Sequence, residues 1–397
     1  MSIQSTPRAS RLHIGLFGNR NAGKSSLINA LTGQDISLVS PVAGTTTDPV
    51  YKSFELHGVG PVVFIDTAGL DDQGDLGALR VEKTRQALDK TDLALLVLTQ
   101  APQAELPWLE ELKSRGIPTL AVLNKADLLP DPEGLAQSLS ETLNVPVLAV
   151  SAAQGENISA LRQAIARQVP DSFWDLTITG DLVQEGDLVL LVMPQDIQAP
   201  KGRLILPQVQ TIRELLDKKC LVMSCTADCL PATLAALARP PKLIITDSQA
   251  FPTVWQHKPP ESLLTSFSIL FAGYKGDIHA FLEGAKAVEA LTEHSRVLIA
   301  EACAHAPLEE DIGREKIPKL LRKKVGENLS FDFVRGNDFP QDLTPYDLVI
   351  HCGACMFNRR HVLSRIAQAK EQQVPICNYG VVLACVAGIL DKVCYAE

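Results

Sequence analysis

Short apolar runs recur at regular intervals through the first 170 residues. Leu12–Phe17, Val62–Ile65, Ala94–Leu98, Thr119–Leu123 and Val147–Val150 are each four to six residues long and are separated by stretches of helical periodicity. That alternation is the signature of βαβ units and predicts a mostly parallel, doubly wound sheet over 11–170. The rhythm breaks at 171–186, which reads as a linker, and resumes with strands at Leu188–Met193, Leu221–Ser224 and Leu243–Thr246 and helices near Val209–Lys218 and Pro231–Ala238. Pro259-Pro260 marks another break. Beyond it, strands are predicted at Ser268–Phe271, Val297–Ala300, Asp347–His351 and Val374–Ile376. The expected organisation is α/β throughout: an arm at 1–10, a large domain at 11–170, a linker at 171–186, and two smaller α/β domains at 187–262 and 263–397.

Composition narrows the function classes. The 397 residues carry 37 Lys+Arg against 46 Asp+Glu, a net charge of −9, and 46% are hydrophobic. This is a globular balance without the basic excess of a nucleic-acid footprint, so no nucleic-acid partner is expected. The longest nearly unbroken apolar run, Val381–Leu390, falls well short of the roughly 18 residues of a membrane span. The polar arm Met1–Ser10 lacks a secretory core. These features predict a cytoplasmic protein that does not engage membranes. Nine cysteines in a reducing compartment point to metal or redox chemistry rather than disulfides.

Gly18-Asn19-Arg20-Asn21-Ala22-Gly23-Lys24-Ser25 fits GxxxxGK[ST], follows the first predicted strand and opens a helical run beginning at Ser26. The loop's N–H groups can wrap phosphate oxygens, Lys24 can meet the β- and γ-phosphates, and Ser25 can ligate Mg²⁺. Further along, Asp66-Thr67-Ala68-Gly69 ends a hydrophobic strand; Asp66 suits the Mg²⁺ shell, and the Gly69 N–H can sense the γ-phosphate. Asn124-Lys125-Ala126-Asp127 closes another strand. Its Asp127 carboxylate can accept two hydrogen bonds from guanine, whereas adenine offers no such donor pair. With Ser151-Ala152 ending a later strand, the order predicts a doubly wound P-loop NTPase sheet specific for GTP.

These motifs resemble the translation-factor-like GTPases, and within them the TrmE/Era-like group of tRNA-modifying and ribosome-assembly enzymes. Asn21 stands where that group places a K⁺-coordinating asparagine, Gly44-Thr45-Thr46-Thr47-Asp48 resembles its first switch, and Leu70 replaces the glutamine of Ras-like enzymes. The resemblance implies slow, K⁺-dependent turnover, with K⁺ supplying the charge of an arginine finger and Thr46 completing the Mg²⁺ shell.

A second constellation lies near the C-terminus: Cys303-Ala304-His305, then His351-Cys352-Gly353-Ala354-Cys355. Both groups follow predicted strands. In a parallel sheet Cys303, Cys352 and Cys355 would therefore meet at the carboxyl edge, where open α/β sheets bind ligands. Spacing alone permits zinc, with one histidine, or an iron–sulfur cluster whose fourth position falls to His305, His351, Cys377 or another group. Cys220, Cys225 and Cys229 approach but miss a ferredoxin spacing and are expected to pack as small apolar groups. His13, His57, His257, His279, His294 and His361 lack partner spacing. Arg314–Lys324 reads as the solvated face of an amphipathic helix.

The CxH and HCxxC pair, joined to a K⁺-type GTPase through a middle domain, resembles the FeFe-hydrogenase maturation GTPases of the HydF family across the whole chain. The resemblance implies a homodimeric scaffold that carries a 4Fe-4S cluster on Cys303, Cys352 and Cys355. Such a scaffold receives a transient di-iron precursor from two radical-SAM maturases and delivers it to apo-FeFe-hydrogenase. The alternative reading is an RNA-modification or ribosome-associated GTPase with a zinc-bearing accessory domain.

Overall fold

The apolar run that opens the chain becomes strand β1 (Leu12–Gly18), with all seven residues buried. A computed structural model describes residues 6–33, 49–67, 75–98, 102–193, 204–302 and 311–396. The chain divides into two compact units, Met1–Asp175 and Leu176–Glu397.

In the first unit, β1 is joined by β2 (Val50–Leu56), β3 (Gly60–Asp66), β4 (Leu93–Leu98), β5 (Thr119–Leu123) and β6 (Val147–Ala149) in the order β2-β3-β1-β4-β5-β6. Among these described strands only the β2–β3 pairing is antiparallel. Because β1 has β3 on one side and β4 on the other, the chain reverses its winding there, and the carboxyl end of β1 opens into a crevice. β1, β4 and β5 are buried on both faces, so they read as continuous Leu/Val/Ile runs. Phe64, Leu95 and Leu161 pack on one side, and Phe17, Leu96 and Leu112 on the other.

Among the described residues the second unit holds two sheets, parallel throughout. β7 (Leu188–Val192), β8 (Leu221–Cys225), β9 (Leu243–Thr246) and β10 (Leu263–Ser266) lie in the order β10-β9-β7-β8. β11 (Arg296–Glu301), β12 (Ser330–Arg335), β13 (Leu348–His351) and β14 (Ile376–Asn378) lie in the order β12-β11-β13-β14. One apolar cluster runs from Leu190 and Ile244 through Phe251 and Ile269 to Val297 and Ile350. The two sheets therefore share a core.

Several expectations need correction. Ser268–Phe271 is helical, inside Phe267–Lys275, because Ser266 caps the helix by accepting from the Ile269 N–H at 3.2 Å. Short apolar runs do not separate strand from helix by periodicity alone. The expected boundary at 262/263 falls just before β10, which hydrogen-bonds to β9 and so belongs with the second sheet. The 171–186 stretch is packed as well: Asp171–Trp174 is a helical turn, and Ile178 and Val183 are buried. Strands β2, β10 and β12 lie where the pattern predicts none.

Candidate functional site: phosphate loop, base loop and cysteine edge

β1 ends at Gly18, whose φ of +149° and proximity to β4 leave no room for a side chain. A Cβ there would lie 2.4 Å from the Val97 carbonyl oxygen. The loop then turns through Asn21 at φ +60° and Gly23 at φ +91° into the helix Lys24–Thr32. Lys24 is buried, and its Nζ donates to the carbonyls of Gly18 at 2.8 Å and Asn19 at 2.9 Å. Those bonds hold the ammonium across the loop opening. Ala22 is buried, while Arg20, Asn21 and Ser26 are exposed at the rim.

The Ser25 hydroxyl donates to Asp66 Oδ2 at 3.0 Å, which brings together the two Mg²⁺ ligands expected from opposite ends of the motif set. Burial pushes the Asp66 carboxyl above its usual range, against the Ser25 hydrogen bond and the charges of Lys24 and Lys52. A divalent cation would reverse that penalty, and the oxygen pair is the donor set Mg²⁺ takes. Asn21, the residue expected to meet K⁺, is exposed at this rim. Thr46 and Gly69 lie outside the described residues, as does Leu70. Thr67, which sequence reasoning passed over, donates from Oγ1 to the Leu16 carbonyl at 2.5 Å and ties β3 to β1 beside the loop.

Asn124 locks the base loop to the phosphate loop. Its Nδ2 donates to Ala22 O at 2.9 Å, and its Oδ1 accepts from the Ala152 N–H at 3.1 Å. Ser151 is fully buried and accepts from the Gln154 N–H at 3.1 Å. With Lys125 held at φ +62°, Asp127 is left exposed where a base would dock. A Cβ on Gly23 would fall 2.2 Å from Asn124 Nδ2. Gly23→Ala should therefore weaken GTP binding by about 2 kcal/mol, roughly thirtyfold, through lost hydrogen bonds and a strained φ. Equilibrium titration with a fluorescent GTP analogue checks this, and an affinity within twofold of the parent would refute it.

At the second unit's carboxyl edge, β11 and β13 are parallel neighbours, with Ala300 opposite His351. The Cys352 N–H donates to Ala300 O at 2.9 Å, and the Ala302 N–H points at Cys352 Sγ from 3.0 Å. An N–H aimed at sulfur is the contact that stabilises a thiolate ligand. Cys303 is the next residue in the chain after Ala302 and lies outside the described residues, as does His305. Cys355 is half-buried, one residue past Ala354, which is held at φ +49° and is 2% exposed. A non-glycine residue held there marks a turn fixed by its surroundings.

Two expected candidates for the fourth position do not fit it. Cys377 lies within β14 opposite Ile350, fully buried, and burial pushes its thiol far up. His351 is also fully buried: its Nδ1 lies 2.8 Å from Cys352 O, and its Nε2 lies 2.9 Å from Arg365 Nη1. Both ring nitrogens are occupied. Among the described residues no group of three or more His, Cys, Asp or Glu side chains is placed to hold a metal; Cys303 is not among those residues.

The other cysteines divide. Cys220 is buried beneath Gln184 as expected, whereas Cys229 is exposed, so packing does not account for it.

Three family models match the chain. Residues 279–395 match the family model of the hydrogen maturase F tetramerization domain, 178–276 that of the hydrogen maturase F dimerization domain, and 13–125 that of the 50S ribosome-binding GTPase. The chain is 37% identical over 168 residues to the tRNA modification GTPase MnmE of Desulfotalea psychrophila, covering 40% of this chain and 35% of that protein. It is 37% identical over 196 residues to the GTPase Der of Wolinella succinogenes, covering 44% and 41%. The chain thus spans well under half the length of these curated relatives. Among solved structures, S. thermophilus NFeoB bound to GDP.AlF4- and K+ is 25% identical over 40% of this chain and 64% of that chain, with a TM-score of 0.32. Era in complex with MgGDPNP and 16S ribosomal RNA is 18% identical over 63% and 98%, with a TM-score of 0.36.

Proposed function

Since the chain belongs to the hydrogen maturase F family, its first domain being a GTPase, we propose that it is a GTP-driven carrier in the maturation of FeFe-hydrogenase. It binds a 4Fe-4S cluster through Cys303, Cys352 and Cys355. It then accepts the di-iron precursor made with radical-SAM maturases and delivers it to apo-hydrogenase. The observation that carries this reading is the junction of β11 and β13, where the Ala302 N–H meets Cys352 Sγ one residue before Cys303. The chain assembles as a homodimer through 178–276.

The nucleotide half works by positioning. Asn19, Arg20, Asn21 and Gly23 present backbone N–H groups to the phosphates around a turn that the Ala22 N–H closes on Asn19 O at 3.2 Å, with Lys24 held ready by two carbonyls. Asp127 reads guanine, while Asn124, Ser151 and Ala152 keep the base loop in register with the phosphate loop. Ser25, Thr46 and Asp66 hold Mg²⁺, and Gly69 reports the γ-phosphate. Potassium at Asn21 supplies positive charge at the phosphates that no glutamine at Leu70 provides. Hydrolysis should accordingly run about tenfold or more faster in K⁺ than in Na⁺ at equal ionic strength, and Asn21→Ala should erase the difference. Phosphate-release rates in the two salts decide it; equal rates for the parent chain would rule the role out.

A cluster held by three thiolates keeps one iron for an exchangeable ligand, the property a carrier needs. Anaerobic reconstitution tests the reading. About four irons and four sulfides per chain, with an EPR signal on reduction, is the expected result. One zinc per chain with no such signal would replace the carrier with a GTPase bearing a structural metal domain.

A further inference from the structure

Arg365 is 4% exposed, an unusual position for a guanidinium. It lies over the rings of Phe339 and Phe357, 4.6 and 5.0 Å from their centroids. Its Nη1 lies 2.9 Å from His351 Nε2, and its Nη2 donates to the Gly336 carbonyl at 2.5 Å. Gly336 in turn donates its N–H to Glu301 O at 2.8 Å, and the Glu301 carboxylate accepts from Arg314 and Arg335. The ends of β11, β12 and β13 are thus joined in one network at the cysteine edge.

The chemistry of arginine fixes the state of His351. A guanidinium has only donors, so Nε2 must be the bare, accepting nitrogen. The single ring proton then sits on Nδ1 and is donated to the Cys352 carbonyl at 2.8 Å. The Cys352 peptide is held from both sides, its N–H by Ala300 and its carbonyl by His351. The histidine has no lone pair left for a metal.

We propose that His351 and Arg365 are positioning residues for the cysteine edge: Arg365 selects the Nδ1–H tautomer of His351, and His351 sets the orientation of the Cys352–Cys355 turn. The inference rests on the reading of Cys352 as a cluster ligand and assigns His351 a role other than the fourth ligand. Hydrogen bonds behind metal ligands typically change metal retention by about 10–100-fold when removed.

Asparagine and glutamine at 351 separate the two roles. An asparagine amide nitrogen reproduces the Nδ1 donor to Cys352 O, while a glutamine reaches toward Arg365 and loses that donor. The test uses the full chain, reconstituted anaerobically with iron and sulfide, and reads chelator-driven iron loss together with pulsed EPR for nitrogen coupling. His351→Asn should lose iron within about threefold of the parent rate, and His351→Gln and Arg365→Met about tenfold faster. Nitrogen-15 histidine spectra of the apoprotein should show an Nδ1–H imidazole, assigned to His351 by its loss in His351→Asn, whose tautomer Arg365→Met, which has no donor, no longer fixes. An imidazole coupling that His351→Asn and His351→Gln abolish equally would make His351 a ligand and overturn the proposal. Unchanged histidine and cluster signals in Arg365→Met would overturn it too. Failure of the parent chain to form a cluster would instead sink the reading of Cys352 on which the proposal rests. Far-UV circular dichroism identifies any misfolded variant, and the surviving member of the 351 pair then decides.

Discussion

Asp127→Asn will move the nucleotide preference of this chain from GTP to XTP. A carboxylate only accepts, so it matches the adjacent N1–H and exocyclic amine of guanine with two charge-assisted bonds worth about 1.5–3 kcal/mol each. An asparagine accepts once and donates once. It therefore faces the guanine amine with a donor and loses both the charge and one bond, and GTP affinity should fall on the order of 10²–10⁴-fold. Xanthine carries a carbonyl in place of that amine and pairs with the amide, so XTP should bind the variant better than GTP. Asp127 is exposed, and the rigid work of the loop is done by Asn124 through Ala22 and Ala152, so folding should be unaffected. Competition titration with the two nucleotides checks the claim; GTP binding within threefold of the parent would contradict it.

The second large effect concerns the cysteines, which the structure sorts by position. Cys352→Ala and Cys355→Ala each remove a thiol from the carboxyl edge and should abolish the reduced-cluster EPR signal, as should Cys303→Ala. Cys377→Ala removes one sulfur from the interior of β14, opposite Ile350. It should leave bound iron unchanged and cost about 1–2 kcal/mol of stability by opening a small cavity. Iron analysis and thermal unfolding of the four variants distinguish the roles. Iron lost in Cys377→Ala at unchanged stability would place that thiol among the ligands after all.

The sequence reads well where burial and chemistry coincide. Thr119–Leu123 and Leu243–Thr246 form the strands expected, residue for residue, because each is a buried run with a sharp polar boundary. The phosphate loop is legible because glycine and lysine are required at fixed offsets, and Gly23 shows why: only a hydrogen fits beside Asn124. Legibility fails where a cap, a strand boundary, a cross-strand register or a distant partner decides. Ser268–Phe271 looks like a strand until the Ser266 cap is taken into account. The edge strand β2 is polar at Lys52, Ser53 and Glu55, and its pairing with β3 depends on the antiparallel register rather than on a hydrophobic run. His351 looks like a ligand by its neighbours in sequence, but Arg365, fourteen residues on, occupies its outer nitrogen. Cys377 sits inside a strand rather than beyond it, a displacement of one or two residues that moves a thiol from the edge to the core.

The central claim is that GTP state governs what the cysteine edge holds and releases. Its most direct test is transfer of the di-iron cargo from the loaded protein to apo-hydrogenase, followed as hydrogenase activity gained per chain in GTP, in GDP and without nucleotide, all in K⁺. The account predicts yields or rates that differ severalfold among the three states, and a difference that disappears in Asp127→Asn supplied with GTP and returns with XTP. Equal transfer in all three states would contradict it.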